Sequence, residues 1–300
     1  MSDHRFLDLP DLLEPGDLLV VNNTRVRSAR LVGERVGTGG RIEILLLERR
    51  PDGYWEALAK PSRRLRNGIK IEFLGMTAEV MSDPSDGVVL LDLDADDPEA
   101  AIKRAGSIPL PPYFTGTLDG PDRYQTVFAN LAGSAAAPTA GLHFTDDVLK
   151  GVAVKGIKVA TVDLHVSLDT FRPMTTEDIK DHDMHSEWCS IPEMTAALIV
   201  EANRVVAVGT TVVRTLESFA GGAGDLTSGS HHTDIFIAPG FEFRVVDALI
   251  TNFHMPSSTL LLLLAAFIGE RWRDVYATAL ERRYRFLSFG DAMFAERTDS

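Results

Sequence analysis

"RVVAVGTTVVRTLESFA", residues 204–220, decides the fold. Four apolar residues, Val205 to Val208, make a short strand, Gly209 breaks it, and Thr210 and Thr211 open a helix with apolar residues at helical spacing. A strand running through a glycine into a helix is the unit of α/β folds, and ligands bind there because helix N-termini present free N–H groups beyond the carboxyl ends of strands. Arg214 and Glu217 lie three apart on one helix face, which reads either as an ordinary surface ion pair or as part of a site.

The same texture continues on both sides. Upstream, Thr145 is placed to cap a helix through about Lys155, Gly156 ends it, and "IKVATVDLHV" (157–166) reads as a buried strand. Downstream, "TDIFIAPG" (233–240) and "FRVVDALIT" (243–251) read as strands, and Ser257 or Ser258 caps the helix that begins "STLLLLLAAF". Pro192 suits a helix's first turn, and "GGAGDLTSGSHH" (221–232) reads as a loop. "GDLLVV" (16–21) is a further apolar strand that ends on the polar cluster Asn22, Asn23, Thr24 and Arg25.

Between about Arg30 and Leu110 the texture changes. "RIEILLLER", "YWEALAK", "IKIEF", "TAEVM" and "GVVLLDLD" are short strands divided by Gly, Pro, Asp and Ser turns, the pattern of a small β-barrel. The expected architecture is therefore a mixed α/β main domain, residues 1–29 and 111–300, interrupted by a barrel at 30–110, with the prolines of "SIPLPPYF" marking the return.

Composition narrows the function. The 300 residues are 45% apolar, enough for real cores. The longest apolar run, Leu260 to Ile268, is far short of the ~20 residues needed to cross a bilayer, and "MSDHRFLDLP" lacks the order of a signal peptide, so the expected location is the cytoplasm, with no membrane partner. The single Cys189 excludes an internal disulfide framework and reads as core filler. A formal charge of −13 argues against diffuse electrostatic binding of nucleic acid. An RNA substrate would need local basic patches, and "KPSRRLRNGIK" and "RWRD…ERRYR" are available.

Histidines recur at strand ends. His143 lies in "APTAGLHFT" (137–145), His165 ends a strand in "TVDLHV", and His254 follows Asn252 in "ITNFHMPSST". Each singly reads as a structural histidine, but their repeated placement in strand-to-helix loops puts acid, base or hydrogen-bonding groups on one expected rim. "DHDMHSEWC" (181–189) offers His182 and His185 three apart; without a zincin motif or a second cysteine, no metal site is expected.

Taken in order, "PGDLLVVNNTRV" (15–26), "LPPYF" (110–114), "RYQTVFA" (123–129), "AAPTAGLHFT" (136–145), "MHSE" (184–187), "RVVAVGTT" with "VRTLES" (204–218), "IFIAPGFEF" (235–243), "VVDALITNFHMPSSTLLLLLAAF" (245–267) and "YRFLSFGDAMF" (284–294) closely resemble the S-adenosylmethionine:tRNA ribosyltransferase-isomerases of queuosine biosynthesis. The resemblance implies an α/β domain interrupted by a β-barrel. It also implies a reaction: the ribosyl unit of S-adenosylmethionine moves to the aminomethyl group of a 7-deazaguanine at the tRNA wobble position, giving epoxyqueuosine and releasing adenine and methionine. S-adenosylmethionine is then a consumed substrate, with no cofactor, and the chain is expected to act as a monomer.

Such chemistry needs a base beside the sulfonium, a donor for the leaving adenine and a positioned sugar. The resemblance points to His143, His165, His254 and Arg214 as catalytic residues. It points to Asn22, Asn23, Thr24, Arg25, Pro138, Thr139, Gly141, His185, Glu187, Gly209, Thr210, Thr211, Glu217 and Asn252 as substrate-binding residues. Pro138 and Gly141 are expected to shape the loop that aims His143, with Thr145 capping the helix behind it. Two departures stand out: relatives carry an additional N-terminal segment, and Ser167 and Asp169 replace two glycines of the family's His-Val-Gly-x-Gly-Thr-Phe. Side chains there are expected to strain or narrow the loop if those glycines serve positive φ or close ligand approach. A catalytically inactive binding protein, or an enzyme acting on a small deazapurine, are the competing readings.

Overall fold

The computed structural model describes residues 1–298 except 112, 115, 117, 119, 167–183, 185 and 222–225. Ser167, Asp169, His182 and His185 lie outside the described residues. The chain forms two compact units, Met1–Arg25 with Asp122–Ser300, and Val26–Pro121.

In the larger unit a seven-stranded sheet runs Gly229–Thr233, Glu187–Ile191, Lys158–Leu164, Asp17–Asn22, Arg204–Val208, Ala248–Asn252, Ala292–Glu296. Its four middle strands are parallel, and the outer strands are antiparallel to their neighbours. Alternate side chains of the parallel strands enter two cores, which is why those strands read as unbroken apolar runs. Leu18, Val20, Val205, Ala207 and Leu249 pack against helices Glu193–Glu201, Thr210–Ser218, Thr259–Ile268 and Arg271–Glu281. Leu19, Val21, Val206, Val208 and Ile250 pack on the other face with Phe144, Val148 and Val152, the last two from helix Asp146–Val154.

Local chemistry places the helix ends. The Thr145 hydroxyl accepts from Val148 N at 3.3 Å and the Ser258 hydroxyl from Leu261 N at 3.2 Å, so both are N-caps. Gly156, with φ 74°, closes helix Asp146–Val154 in the left-handed region that favours glycine. Pro192 is the N-cap residue before Glu193–Glu201.

Two readings are corrected. Residues 234–240 form no strand; the ladder beside Glu187–Ile191 is made instead by Gly229–Thr233, all but its last residue in the stretch expected to be a loop. Residues 243–247 form no strand either, because Val245 and Val246 give their N–H groups to the Glu217 carboxylate, and the strand begins at Ala248.

The smaller unit is a closed six-stranded antiparallel barrel: Arg30–Arg35, Arg41–Arg49, Trp55–Lys60, Val88–Asp94, Met76–Val80, Lys70–Phe73, and back to Arg30–Arg35. Ile42, Ile44 and Leu46 fill its interior with Trp55, Ile71 and Leu91, while Arg41, Glu43 and Leu45 alternate outward. A helix not anticipated from the sequence, Pro98–Ala105, follows the last barrel strand and is capped by Asp97, whose carboxylate accepts from Ala100 N at 3.1 Å.

Candidate active site

The four parallel strands carry Asn22, His165, Gly209 and Asn252 at or just beyond their carboxyl ends, on one edge of the sheet. Asn22 is fully engaged in joining strands: its Nδ2 donates to Leu164 O at 3.0 Å, and its Oδ1 accepts from Thr24 N and Leu164 N. The Thr24 hydroxyl donates to the same Leu164 carbonyl at 3.0 Å. Asn23 Nδ2 donates to Asp163 at 3.3 Å, and burial holds that carboxyl above the usual carboxylate range. Arg25 is exposed, 3.7 Å from Asp122.

The segment around His143 is built for close approach. A 3-10 helix, Thr139–His143, follows Pro138, and a Cβ on Gly141 would meet Phe128 and Thr126 at 2.8 Å, so only glycine fits. The Thr139 hydroxyl donates to Asn252 Oδ1 at 3.2 Å, which orients the amide so that Nδ2 donates to His143 Nε2 at 2.9 Å. This network leaves the His143 proton on Nδ1. Burial pushes the His143 pKa down, with Asp291 opposing and Arg123 and Arg285 adding to the effect, so the ring is neutral at pH 7. Phe6 stacks on the imidazole, with ring centroids 5.1 Å apart.

Beyond Arg204–Val208, Gly209 adopts φ 94° and donates to Ile250 O, opening helix Thr210–Ser218. Thr210 and Thr211 are buried there, and Thr211 Oγ1 has no hydrogen-bond partner among the described residues. The surface ion pair of Arg214 with Glu217, one of the two readings of their spacing, does not form. Both are buried, at 4% and 5% exposure, and their partners differ. Arg214 Nη1 pairs with Glu187 and Nε donates to Ile235 O, while Nη2 has no hydrogen-bond partner among the described residues. Glu217 accepts backbone N–H bonds from Arg244, Val245 and Val246 at 2.9 to 3.1 Å, a loop-holding role.

The three histidines share the sheet edge but occupy different surroundings. His165 lies between Trp188, 4.7 Å away centroid to centroid, and the backbone of Gly133, where a Cβ would come within 2.5 Å of its Cε1. His143 reaches Asn252, whereas His254 Nε2 lies 2.9 Å from the Thr251 hydroxyl, because successive strand residues point to opposite faces. His254 N donates to Tyr276 Oη at 2.8 Å, and burial pushes the imidazole pKa down to about 4. A ring so held is neutral at pH 7, with a single ring N–H.

His231 and His232 belong to the edge strand Gly229–Thr233, and His231 Nε2 meets the Ser218 hydroxyl at 3.2 Å. Among the described residues there is no group of three His, Cys, Asp or Glu side chains that could hold a metal ion. Buried Cys189 packs in the core, its thiol pKa raised by burial.

Sequence reasoning missed Phe6, Gly133 and Asp291. Asp291 stood inside the quoted motif "YRFLSFGDAMF", but Gly133 carries no local signal, since its need for a bare backbone comes from a ring 32 residues away. His143, Phe6 and Asp291 face a cavity of about 910 Å³, with Phe253, Arg271 and Arg283 also in its walls.

These features define an α/β protein with an inserted barrel, whose polar side chains gather at the carboxyl edge of four parallel strands as in an enzyme. The chain belongs to the queuosine biosynthesis protein family, whose description matches residues 1–295. It is 50% identical to an S-adenosylmethionine:tRNA ribosyltransferase-isomerase of Moorella thermoacetica, over 97% of this chain and 88% of that protein. It is 51% identical to a protein of the same name from Rubrobacter xylanophilus, over 98% and 86%. A solved structure described as S-adenosylmethionine tRNA ribosyltransferase, from Thermotoga maritima, is 34% identical, covers 96% of this chain and 85% of that one, and superposes with a TM-score of 0.49. Among the described residues no helix is long and apolar enough to cross a membrane.

Proposed function

We propose that this chain is an S-adenosylmethionine:tRNA ribosyltransferase-isomerase that works in the cytoplasm. It consumes S-adenosylmethionine as a substrate and modifies a 7-aminomethyl-7-deazaguanine at the wobble position, releasing adenine and methionine. The observation that carries this reading is the pair of relatives of that name, each about half identical over almost the whole chain.

The local chemistry agrees with this reading. Neutral His143, anchored through Nε2, offers its Nδ1–H as a hydrogen-bond donor for the departing adenine. Asn252 and Thr139 position that ring. The N-terminus of helix Thr210–Ser218, with its unpartnered Thr211 hydroxyl, suits the substrate carboxylate. The free Arg214 Nη2, fixed by Glu187, supplies a further donor.

The test is to incubate the protein with S-adenosylmethionine and a tRNA carrying the aminomethyl-deazaguanine, following free adenine and the nucleoside mass together. Adenine release matched by the epoxycyclopentyl nucleoside is the expected result. Product formed on the free base but not on tRNA would transfer the activity to a small deazapurine, and silence from folded protein would refute the enzymatic reading. His143→Ala should suppress adenine release in a folded protein; unchanged turnover would remove it from the chemistry.

A further inference from the structure

The cavity beside His143 reverses the sign of the chain. Across the whole sequence acidic residues outnumber Lys and Arg by 43 to 30. The cavity walls hold five arginines against three carboxylates, Asp3, Asp291 and Glu296. All three carboxylates are already paired. Asp3 accepts from Arg282 at 2.5 Å and from the Tyr284 hydroxyl at 2.6 Å. Asp291 accepts from Arg285 at 2.9 Å, and Glu296 pairs with Arg204 at 2.8 Å. Arg5 pairs with Asp8. Arg271 and Arg283 are the cavity's exposed arginines with no carboxylate partner among the described residues.

Arg283 carries a second mark. It follows helix Arg271–Glu281 with φ 60°, and Tyr284 N donates back to Ala279 O, the closure that ordinarily takes glycine or asparagine. A side chain with a Cβ is disfavoured there, yet the position holds a long, exposed cation that lines the cavity. Two unpaired guanidiniums, on a protein that otherwise repels polyanions, select a negatively charged ligand with oxygen acceptors in a fork.

We propose that Arg271 and Arg283 form a phosphodiester-binding site for the RNA backbone at the mouth of the cavity that holds His143. This proposal rests on the tRNA reading above and adds the surface that seats the substrate. RNA phosphates supply the required charge and geometry, and contacts of this kind position a nucleic acid without reading its sequence.

The experiment measures binding of a labelled tRNA transcript by fluorescence anisotropy across a KCl series. The wild-type chain is compared with Arg271→Gln/Arg283→Gln and, as a control of equal charge change, with Arg63→Gln/Arg64→Gln in the barrel. All four side chains are exposed, and urea midpoints verify folding. The cavity variant is expected to bind more weakly and to lose about 1–2 from the slope of log K against log salt, while S-adenosylmethionine affinity holds. Arg271→Lys/Arg283→Lys should recover most of that slope, since a phosphate contact needs the charge. Wild-type binding with an unchanged slope in the cavity variant would overturn the site and leave the tRNA reading intact. An equal loss in the barrel control would also overturn it, in favour of diffuse electrostatics. A wild-type chain that binds no tRNA would remove both.

Discussion

Replacing His254 by glutamine distinguishes a histidine that belongs to the core from one that belongs to the chemistry. Its ring is buried, touches the Thr251 hydroxyl, and burial brings its pKa from 6.5 to about 4. Because the folded-state pKa is depressed, the unfolded chain takes up the proton first as the pH falls. Native stability therefore declines from about pH 6.5 and the loss levels off below about pH 4. Linkage over that interval costs about 2 kcal/mol at pH 5 and about 3 kcal/mol at pH 4. Glutamine does not titrate, and its amide reaches the position of Nε2. Urea unfolding of the larger unit, followed through Trp188 and Trp272 in a Trp55→Phe background, gives the comparison. The stability difference between the two proteins should move by about 2 kcal/mol in favour of His254→Gln between pH 7 and pH 5, since the carboxylates contribute alike to both. A difference that stays constant over this range would refute the buried neutral imidazole. Adenine release at pH 7.5 should stay within about threefold of wild type; a loss of about a hundredfold in folded protein would place His254 in the reaction.

Gly133→Ala drives a methyl group into the His165 ring and should cost about 1–3 kcal/mol with a shift in Trp188 fluorescence, whereas an unperturbed spectrum would mean the ring is not seated there. Glu217→Ala strips three backbone N–H groups of their acceptor, so a loss of about 3 kcal/mol or more is expected in urea, with the S-adenosylmethionine KM of surviving folded protein unchanged. A raised KM at undiminished stability would return Glu217 to substrate binding. Asn252→Asp places a carboxylate beside His143 Nε2, and the imidazole pKa, followed by NMR titration, should rise by about 1–3 units; a fall would contradict the hydrogen bond at 2.9 Å.

The parallel strands were readable because burial on both faces demands an apolar residue at every position, and the barrel because burial on one face demands alternation. The caps Thr145 and Ser258 were readable because their chemistry is local. Gly229–Thr233 was not, since an edge strand contributes mainly backbone, and "GSHHT" shows none of the apolar signal that Ile235 and Ile237 show without forming a ladder. Arg214 and Glu217 have the spacing of an ion pair, but burial and partners from Glu187 to Val246 decided otherwise. The motifs around His143, Asn252 and Thr139 hold three residues that the structure joins in one hydrogen-bond network, while spacing alone assigned no face to His254.

The strand Asp17–Asn22 sits in the middle of its sheet, and its neighbours come from far along the chain: the Asn22 side chain meets Leu164 across 142 residues. During synthesis this apolar strand leaves the ribosome long before either flanking strand exists. The whole barrel unit, Val26–Pro121, emerges in the interval with all of its barrel strands' partners inside it. Barrel formation therefore comes first, and the larger unit closes only once Arg204–Val208 has been made, with a slow phase set by long-range parallel pairing. For that period the "DLLVV" segment is an apolar strand without its partners, the kind of exposed segment that favours aggregation.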